Sequence, residues 1–230
     1  MNYFWKWRSR EQWPPESVRE PQEFGTGSRL NIVCTQTELS ASAQKKIVRA
    51  WCERLPTLKG VEYLWFNSRV PQELFDAACS VPGLKGLYLK WSGIKRIDAI
   101  AKAVSLRCLH IGSSAGLQSI EPLQEMTELT WLGTENLKHI SSLDPLRSLT
   151  CLEGLSVEGS MWATQSVDTL EPISKLTNLK YLSITNLRSN DGTLAPLFSL
   201  RRLETFHSAK WWPEEEFEEL QRRNPKLVVR

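Results

Sequence analysis

The fold is decided by the stretch Leu129-Thr-Trp131-Leu132-Gly-Thr-Glu135-Asn-Leu137-Lys-His139-Ile140-Ser-Ser-Leu143-Asp144-Pro145-Leu146-Arg-Ser-Leu149-Thr-Cys151-Leu152-Glu-Gly-Leu155-Ser-Val157. It opens with apolar residues at relative positions 1 and 4, Leu129 and Leu132. An apolar side chain then returns at every third residue from Leu137 to Leu149 and arrives at Leu152. There the opening pattern restarts as Leu152, Leu155 and Val157. A period of three matches neither a long helix nor a strand. It suits a chain turning corners, each short segment sending one side chain into a shared interior.

Outward from this stretch the same apolar pattern, at positions 1, 4 and 6, recurs. It appears at Val61, Leu64 and Phe66; at Leu84, Leu87 and Leu89; at Leu106, Leu109 and Ile111; and at Leu179, Leu182 and Ile184. Leu129, Leu132 and Thr134, and Leu203, Phe206 and Ser208, carry it with a polar sixth position. The first positions are 23, 22, 23, 23, 27 and 24 residues apart. Self-similarity at such a period is the mark of a repeat solenoid. The every-third-residue ladder also recurs, as Leu117, Ile120, Leu123 and Met126. Four ladders contain an acidic or small residue, then Pro, then Leu or Ile: Glu121-Pro122-Leu123, Asp144-Pro145-Leu146, Glu171-Pro172-Ile173 and Ala195-Pro196-Leu197. Pro pre-sets φ at the start of a helical turn and gives up no needed N–H there. An acid just before it can accept orphan N–H groups. One short helical or 3₁₀ turn per repeat is expected on the convex side.

These residues resemble the leucine-rich repeat family, and the form LxxLxL followed by PLxxLxxL is nearest its bacterial, internalin-like subclass. The resemblance covers about residues 58–210. It implies an α/β solenoid, a curved parallel sheet with short convex helices or 3₁₀ turns, that works by binding another protein. One departure stands out. The family usually places Asn at position 9 to bond the turning backbone, whereas Ser92, Ser114, Leu137 and Leu187 occupy that slot here.

The ends read differently. Residues 1–28 form an N-terminal arm outside the repeat, with Trp5, Trp7, Trp13 and Pro14-Pro15 among basic side chains. The arm could pack over the first repeats, cover the concave face, or bind a partner. Residues 29–60 read as a βα capping unit: Arg29 to Thr35 alternates like a strand, and a helix follows with Ser40 or Ser42 as N-cap and Ile47, Trp51 and Leu55 on one face. Residues 70–81 suggest a second convex helix. Residues 61–205 hold the repeats, and 206–230 a C-terminal cap. In that cap Pro213 and three Glu start a helix, Arg222 and Arg223 end it, and Leu227 to Val229 could add a last strand.

Side chains alternate across a strand, so positions 3, 5 and 7 should face the concave side. That puts Tyr63, Trp65, Tyr88, His110 and Trp131 together in the N-terminal half, with Tyr181 and His207 further on. Exposed rings of this kind are favoured interface anchors. Gly86, Gly112, Gly133 and Gly154 would leave room between them. Lys90, Glu135 and Glu158 supply charge, and the two acids suit a basic feature on the partner. The repeat starting at Leu152 is the longest, its extra residues lying in Gly159 to Ser166. Trp162 and Met161 there would be contacts, or Trp162 would plug the widened repeat. Trp211-Trp212 could extend the surface or cap the core.

The remaining features bound the function. The 230 residues are 41% hydrophobic, enough for a sizeable core. With 29 basic and 26 acidic residues the net charge is +3, which argues against a nucleic-acid partner. No apolar run suits a membrane span, and no signal peptide is visible. Five Cys without a CxxC spacing fit free thiols in the cytoplasm. His110, His139 and His207 fall in different repeats, so no catalytic residues, metal ligands or cofactor site are expected. Cys108 and His110 lack a third group to orient them. The expectation is a non-enzymatic protein-binding module. Its candidate roles are an immunity protein that neutralises a cognate toxin domain, a cytoplasmic adaptor or scaffold, and a host-directed effector. Oligomeric state is left open.

Overall fold

The structure, a computed structural model, describes residues 14–209 and 211–230. Trp5, Trp7 and Trp13 of the arm lie outside the described residues. The N-terminal cap contributes β1 (Arg29–Ile32), and each repeat then adds one strand to the same sheet, beginning with β2 (Tyr63–Phe66), β3 (Gly86–Leu89), β4 (Cys108–Ile111), β5 (Trp131–Glu135) and β6 (Gly154–Glu158). After β7 (Gln165–Val167) come β8 (Tyr181–Ile184), β9 (Leu187–Ser189), β10 (Thr205–Ser208) and β11 (Val228–Val229). Among the described residues, β1 to β6, β8, β10 and β11 form a nine-stranded sheet in chain order. Every pairing is parallel, and the register aligns Tyr63, Gly86, Cys108, Trp131, Gly154, Tyr181 and Thr205 in one row. Equivalent repeat positions therefore sit side by side across the sheet.

Behind the sheet lies one continuous core. The side chains at positions 1, 4 and 6, such as Leu64 and Phe66, Leu109 and Ile111, and Leu182 and Ile184, are almost wholly buried. They meet the ladder residues Leu137, Leu143, Leu146 and Leu149 returning from the convex side. That side carries the α-helix α2 (Gln72–Ala78) in the first repeat. Five-residue 3₁₀ turns follow, including Glu121–Glu125, Asp144–Ser148, Glu171–Lys175 and Ala195–Ser199, each with Pro in its first two positions. A turn this short fits between strands so closely spaced in sequence.

The turning backbone is held by residues other than those at the ninth position alone. Asn136 and Asn186, at position 8, adopt φ of 56° and 57°, a left-handed conformation that Asn tolerates. Asn136 Nδ2 donates to Ser113 Oγ at 2.9 Å, and Asn186 Nδ2 to the Ser160 carbonyl at 2.6 Å. In two repeats Ser at position 9 does the work: Ser114 is fully buried, bonds the Gly112 carbonyl and lies 2.6 Å from Ser92 Oγ. In the widened repeat Gln165 substitutes. Its buried Nε2 donates to the carbonyls of Leu137 at 2.9 Å and Ile140 at 2.7 Å.

Both ends are closed. The α-helix α1 (Ala41–Arg54) starts at Ser40, whose Oγ accepts from Ala43 N–H, and buries Ile47, Val48 and Trp51. Trp51 Nε1 donates to the Arg19 carbonyl at 2.7 Å, and Val18 bridges Ile32, so residues 14–28 pack onto the N-terminal end. At the other end Pro213 is the N-cap of α3 (Glu214–Arg223) rather than a residue of its first turn. Glu216 accepts from Thr193 Oγ1 and Leu194 N–H and so ties the helix to the last repeat. Leu220 and Leu227 complete the core.

Candidate protein-binding face

The concave side of the sheet carries a run of rings set by the register. Tyr88 and His110, cross-strand neighbours, stack with centroids 4.6 Å apart and planes 12° off parallel. Trp131 reaches over Gly154 to stack on Tyr181 at 5.7 Å, and Tyr181 meets His207 edge-on at 5.5 Å. Tyr63 and Trp65 lie 6.2 Å apart on β2. The rings therefore continue past the N-terminal half, through Tyr181, to His207 on β10. Gly154 does make room, since a Cβ there would sit 2.6 Å from the Trp131 ring. Gly112 serves a different purpose from the one expected. A Cβ on it would lie 2.1 Å from the Lys90 carbonyl, so the backbones themselves require Gly.

Exposure sorts these residues. Tyr63, Tyr88, His110, Trp131 and His207 are half-buried and Lys90 is exposed. Trp65 and Tyr181, expected on an open surface, are only 1% and 2% exposed, yet neither belongs to the leucine core. Alternation along a strand tells which face a side chain takes but not what lies over it. Burial holds the His207 imidazole below its ordinary pKa, with the Arg230 charge acting the same way.

Charge on this face is concentrated at β5 and β6. Glu135 and Glu158 are register partners and both half-buried. Burial, then the neighbouring Glu158 carboxylate, pushes the Glu135 pKa up. Glu158 accepts a hydrogen bond from Ser183 Oγ. Lys90 places its ammonium 4.5 Å from the Trp91 ring centroid.

The rim beyond the strands carries a second surface. The extra residues of the widened repeat form a tight turn in which Ser160 Oγ accepts from the N–H groups of Trp162 and Ala163. Met161 and Trp162 project at its tip, 83% and 90% exposed. This overturns the idea that Trp162 plugs the repeat: the interior there is filled by Gln165 and Val167. β7 pairs with β9 in a small parallel sheet at the base, which the sequence reading missed. Three residues are too few to show alternation. Trp211 and Trp212 divide the two roles suggested for them. Trp212 is buried and bonds Ser208 Oγ, while Trp211 is exposed under the Arg188 guanidinium, 4.3 Å from its ring.

Other chemistry is sparse. Among the described residues no group of three or more His, Cys, Asp or Glu could hold a metal ion. No helix among them is long and apolar enough to cross a membrane. All five Cys are free thiols. Burial pushes the Cys34 thiol up to about 12 and Cys52 up to about 11, so neither is an activated nucleophile at neutral pH.

No protein-family profile matches the chain, and no curated protein matches it in sequence. Solved structures do. An internalin (inlF) from Listeria monocytogenes superposes with a TM-score of 0.56 at 19% identity, covering 76% of this chain and 54% of the internalin. Internalin C2 of the same organism gives 0.57 at 21% identity, covering 77% and 79%. The plant peptide hormone receptor RGFR1, solved in complex with RGF2, gives 0.53 at 14% identity, covering 80% of this chain and 29% of the receptor. The chain thus spans about half the length of the first internalin and more than three quarters of the second. Together with the parallel register and the 3₁₀ turns, these likenesses define the fold as an internalin-like leucine-rich repeat solenoid.

Proposed function

We propose that this protein is a non-enzymatic binding module that holds another protein against its concave face and the adjoining Trp162 rim. The observation that carries this reading is the run of rings from Tyr63 to His207 on the sheet side opposite the leucine core. A fold stabilised by leucines alone has no need of them. Aromatic anchors in partly desolvated settings are where interface energy concentrates. A receptor of the same fold, solved with a peptide hormone, supports the use of such a scaffold for polypeptides.

Within this reading the role we favour is an immunity protein that blocks a toxin enzyme in the cytoplasm of the producing cell. A stiff solenoid loses little entropy on binding, which suits tight inhibition. The carboxylates of Glu135 and Glu158 suit a basic substrate-binding surface on the toxin. The test is co-expression. The partner captured by the full chain should arrest growth when expressed alone and lose that effect beside the wild-type chain, but not beside the Trp131→Ala variant. A captured partner that is harmless alone would refute the immunity role and leave an adaptor.

A further inference from the structure

We propose a second binding site, on the rim beyond the strands, that takes an acidic side chain of a polypeptide partner beside Arg188 and Trp211. It rests on the preceding reading only in taking the partner to be a polypeptide. None of its residues lies on the concave face.

Arg188 stands in the middle of β9, in the rim sheet that β9 forms with β7. Leu187 and Ser189 on either side of it are buried, so alternation sends Arg188 out into solvent. Its guanidinium carbon lies 4.3 Å from the centre of the Trp211 ring, which comes from the next repeat. The ring fixes the cation but offers it no oxygen. The N–H groups of a guanidinium form a rigid fork that matches the two oxygens of a carboxylate. Among the described residues those of Arg188 have neither a hydrogen-bond acceptor nor an ion-pair partner. Arg96, Arg107 and Arg147, by contrast, each reach a carboxylate of the same chain. The acids tied to the loop after β9 are already spent. Asp191 accepts from the Ser189 hydroxyl, and Glu216 from Thr193 Oγ1 and the Leu194 N–H.

Beside the fork lies a recess of about 350 Å³ lined by Arg188, Ser189, Gly192, Trp211 and Trp212. That volume is in the range of ligand sites. Trp212 is buried and its Nε1 is committed to Ser208 Oγ, so it closes the recess. Trp211 is exposed, and its Nε1–H makes no hydrogen bond to a described residue, which leaves a second donor on the lining. Gly192, at φ 65°, contributes bare backbone with open space where a side chain would stand.

The surroundings are apolar. Of the five exposed large apolar side chains among the described residues, three stand on this rim: Met161, Trp162 and Trp211. The turn that carries Met161 and Trp162 is fastened to the residue just before β9. The Asn186 side chain donates to the Ser160 carbonyl, and the Asn186 carbonyl accepts from the Gln165 N–H at 2.9 Å. A segment bound here therefore pairs an acid, for Arg188, with an apolar residue close by in sequence, for Trp162 or Trp211. The rim is opposite in sign to Glu135 and Glu158. A partner that reaches both surfaces presents base to the concave face and acid to the rim.

The probe is a phage-displayed library of random peptides, selected against the full chain and counter-screened against Arg188→Gln. Arg188 stands in solvent, so its variants should unfold at the wild-type Tm. The expected result is a set of binders that share Asp or Glu near an apolar residue and bind Arg188→Gln about tenfold or more weaker. The same library selected against Arg188→Glu should return Lys or Arg at the acidic position. Binders without a shared acid, binders indifferent to Arg188→Gln, or the same acidic binders returned by Arg188→Glu would overturn the proposal. So would a selection that yields no binder dependent on Arg188. The readout is Arg188, whereas the concave-face reading is tested at Trp131, so either can fail without the other.

Discussion

Gln165 offers a sharp test of how the widened repeat is held. Its Nε2 donates to two carbonyls that no strand or helix satisfies, those of Leu137 and Ile140. The Leu137 carbonyl also accepts from Ile140 N–H at 3.0 Å, so Gln165→Ala leaves it one bond. The Ile140 carbonyl has no other partner among the described residues. Orphaning a buried acceptor costs about 1–3 kcal/mol, and losing the second bond adds about 1 kcal/mol. The expected destabilisation is about 2–4 kcal/mol. For a chain of this length each kcal/mol lowers Tm by about 2–4 °C, so thermal unfolding should move down by about 5–15 °C. Gln165→Glu should be no better, because a carboxylate cannot donate to a carbonyl. Ser166→Ala, at the exposed neighbouring position, is the control. If Gln165→Ala unfolds within about 0.5 kcal/mol of wild type, Gln165 does not replace the missing ladder Asn.

Other outcomes follow from the same structure. Leu132→Ala truncates a side chain 1% exposed and should cost about 2–5 kcal/mol in denaturant unfolding; a neutral result would break the register. Gly154→Ala must displace the Trp131 ring, losing its stacking on Tyr181 and costing about 1–3 kcal/mol, with a change in tryptophan fluorescence. Trp162→Ala should leave Tm unchanged, since its side chain stands in solvent, while weakening capture of the partner. Glu135 has a folded-state pKa raised above 4.5, so the folded state binds its proton more tightly and stability falls as pH rises through the window just above 4.5. Glu135→Gln should therefore raise Tm at pH 7 and have little effect well below that window.

The strands were legible because the apolar residues at positions 1, 4 and, in most repeats, 6 recur at a nearly fixed spacing across the chain. Four of the 3₁₀ turns were legible because Pro after an acidic or small residue pre-sets the start of a helical turn. The corners were harder. Asn136 and Asn186 stand one residue before the slot the family resemblance assigns to Asn, and Gln165 acts from 25 and 28 residues away in sequence. A long-range bond from a side chain to a carbonyl leaves no periodic trace. On the concave side, alternation placed Trp65, Tyr88 and Trp131 on the correct face. It could not show that Trp65 and Tyr181 are covered, nor that Trp131 passes over Gly154 to reach Tyr181. Those facts depend on neighbours several strands away. Arg188 over Trp211 was likewise invisible, since its partner lies a full repeat later.

The most direct measurement of the central claim is quantitative affinity capture from the native lysate with the full chain. Wild type would be compared with a Tyr88→Ala/Trp131→Ala double variant shown to remain folded by thermal unfolding. Truncating two such anchors should cost about 2 kcal/mol or more each in binding. The expected result is one stoichiometric protein retained by wild type and lost by the variant. Retention of the same protein by both would contradict the account, because the rings of the concave face would then not be what the partner holds.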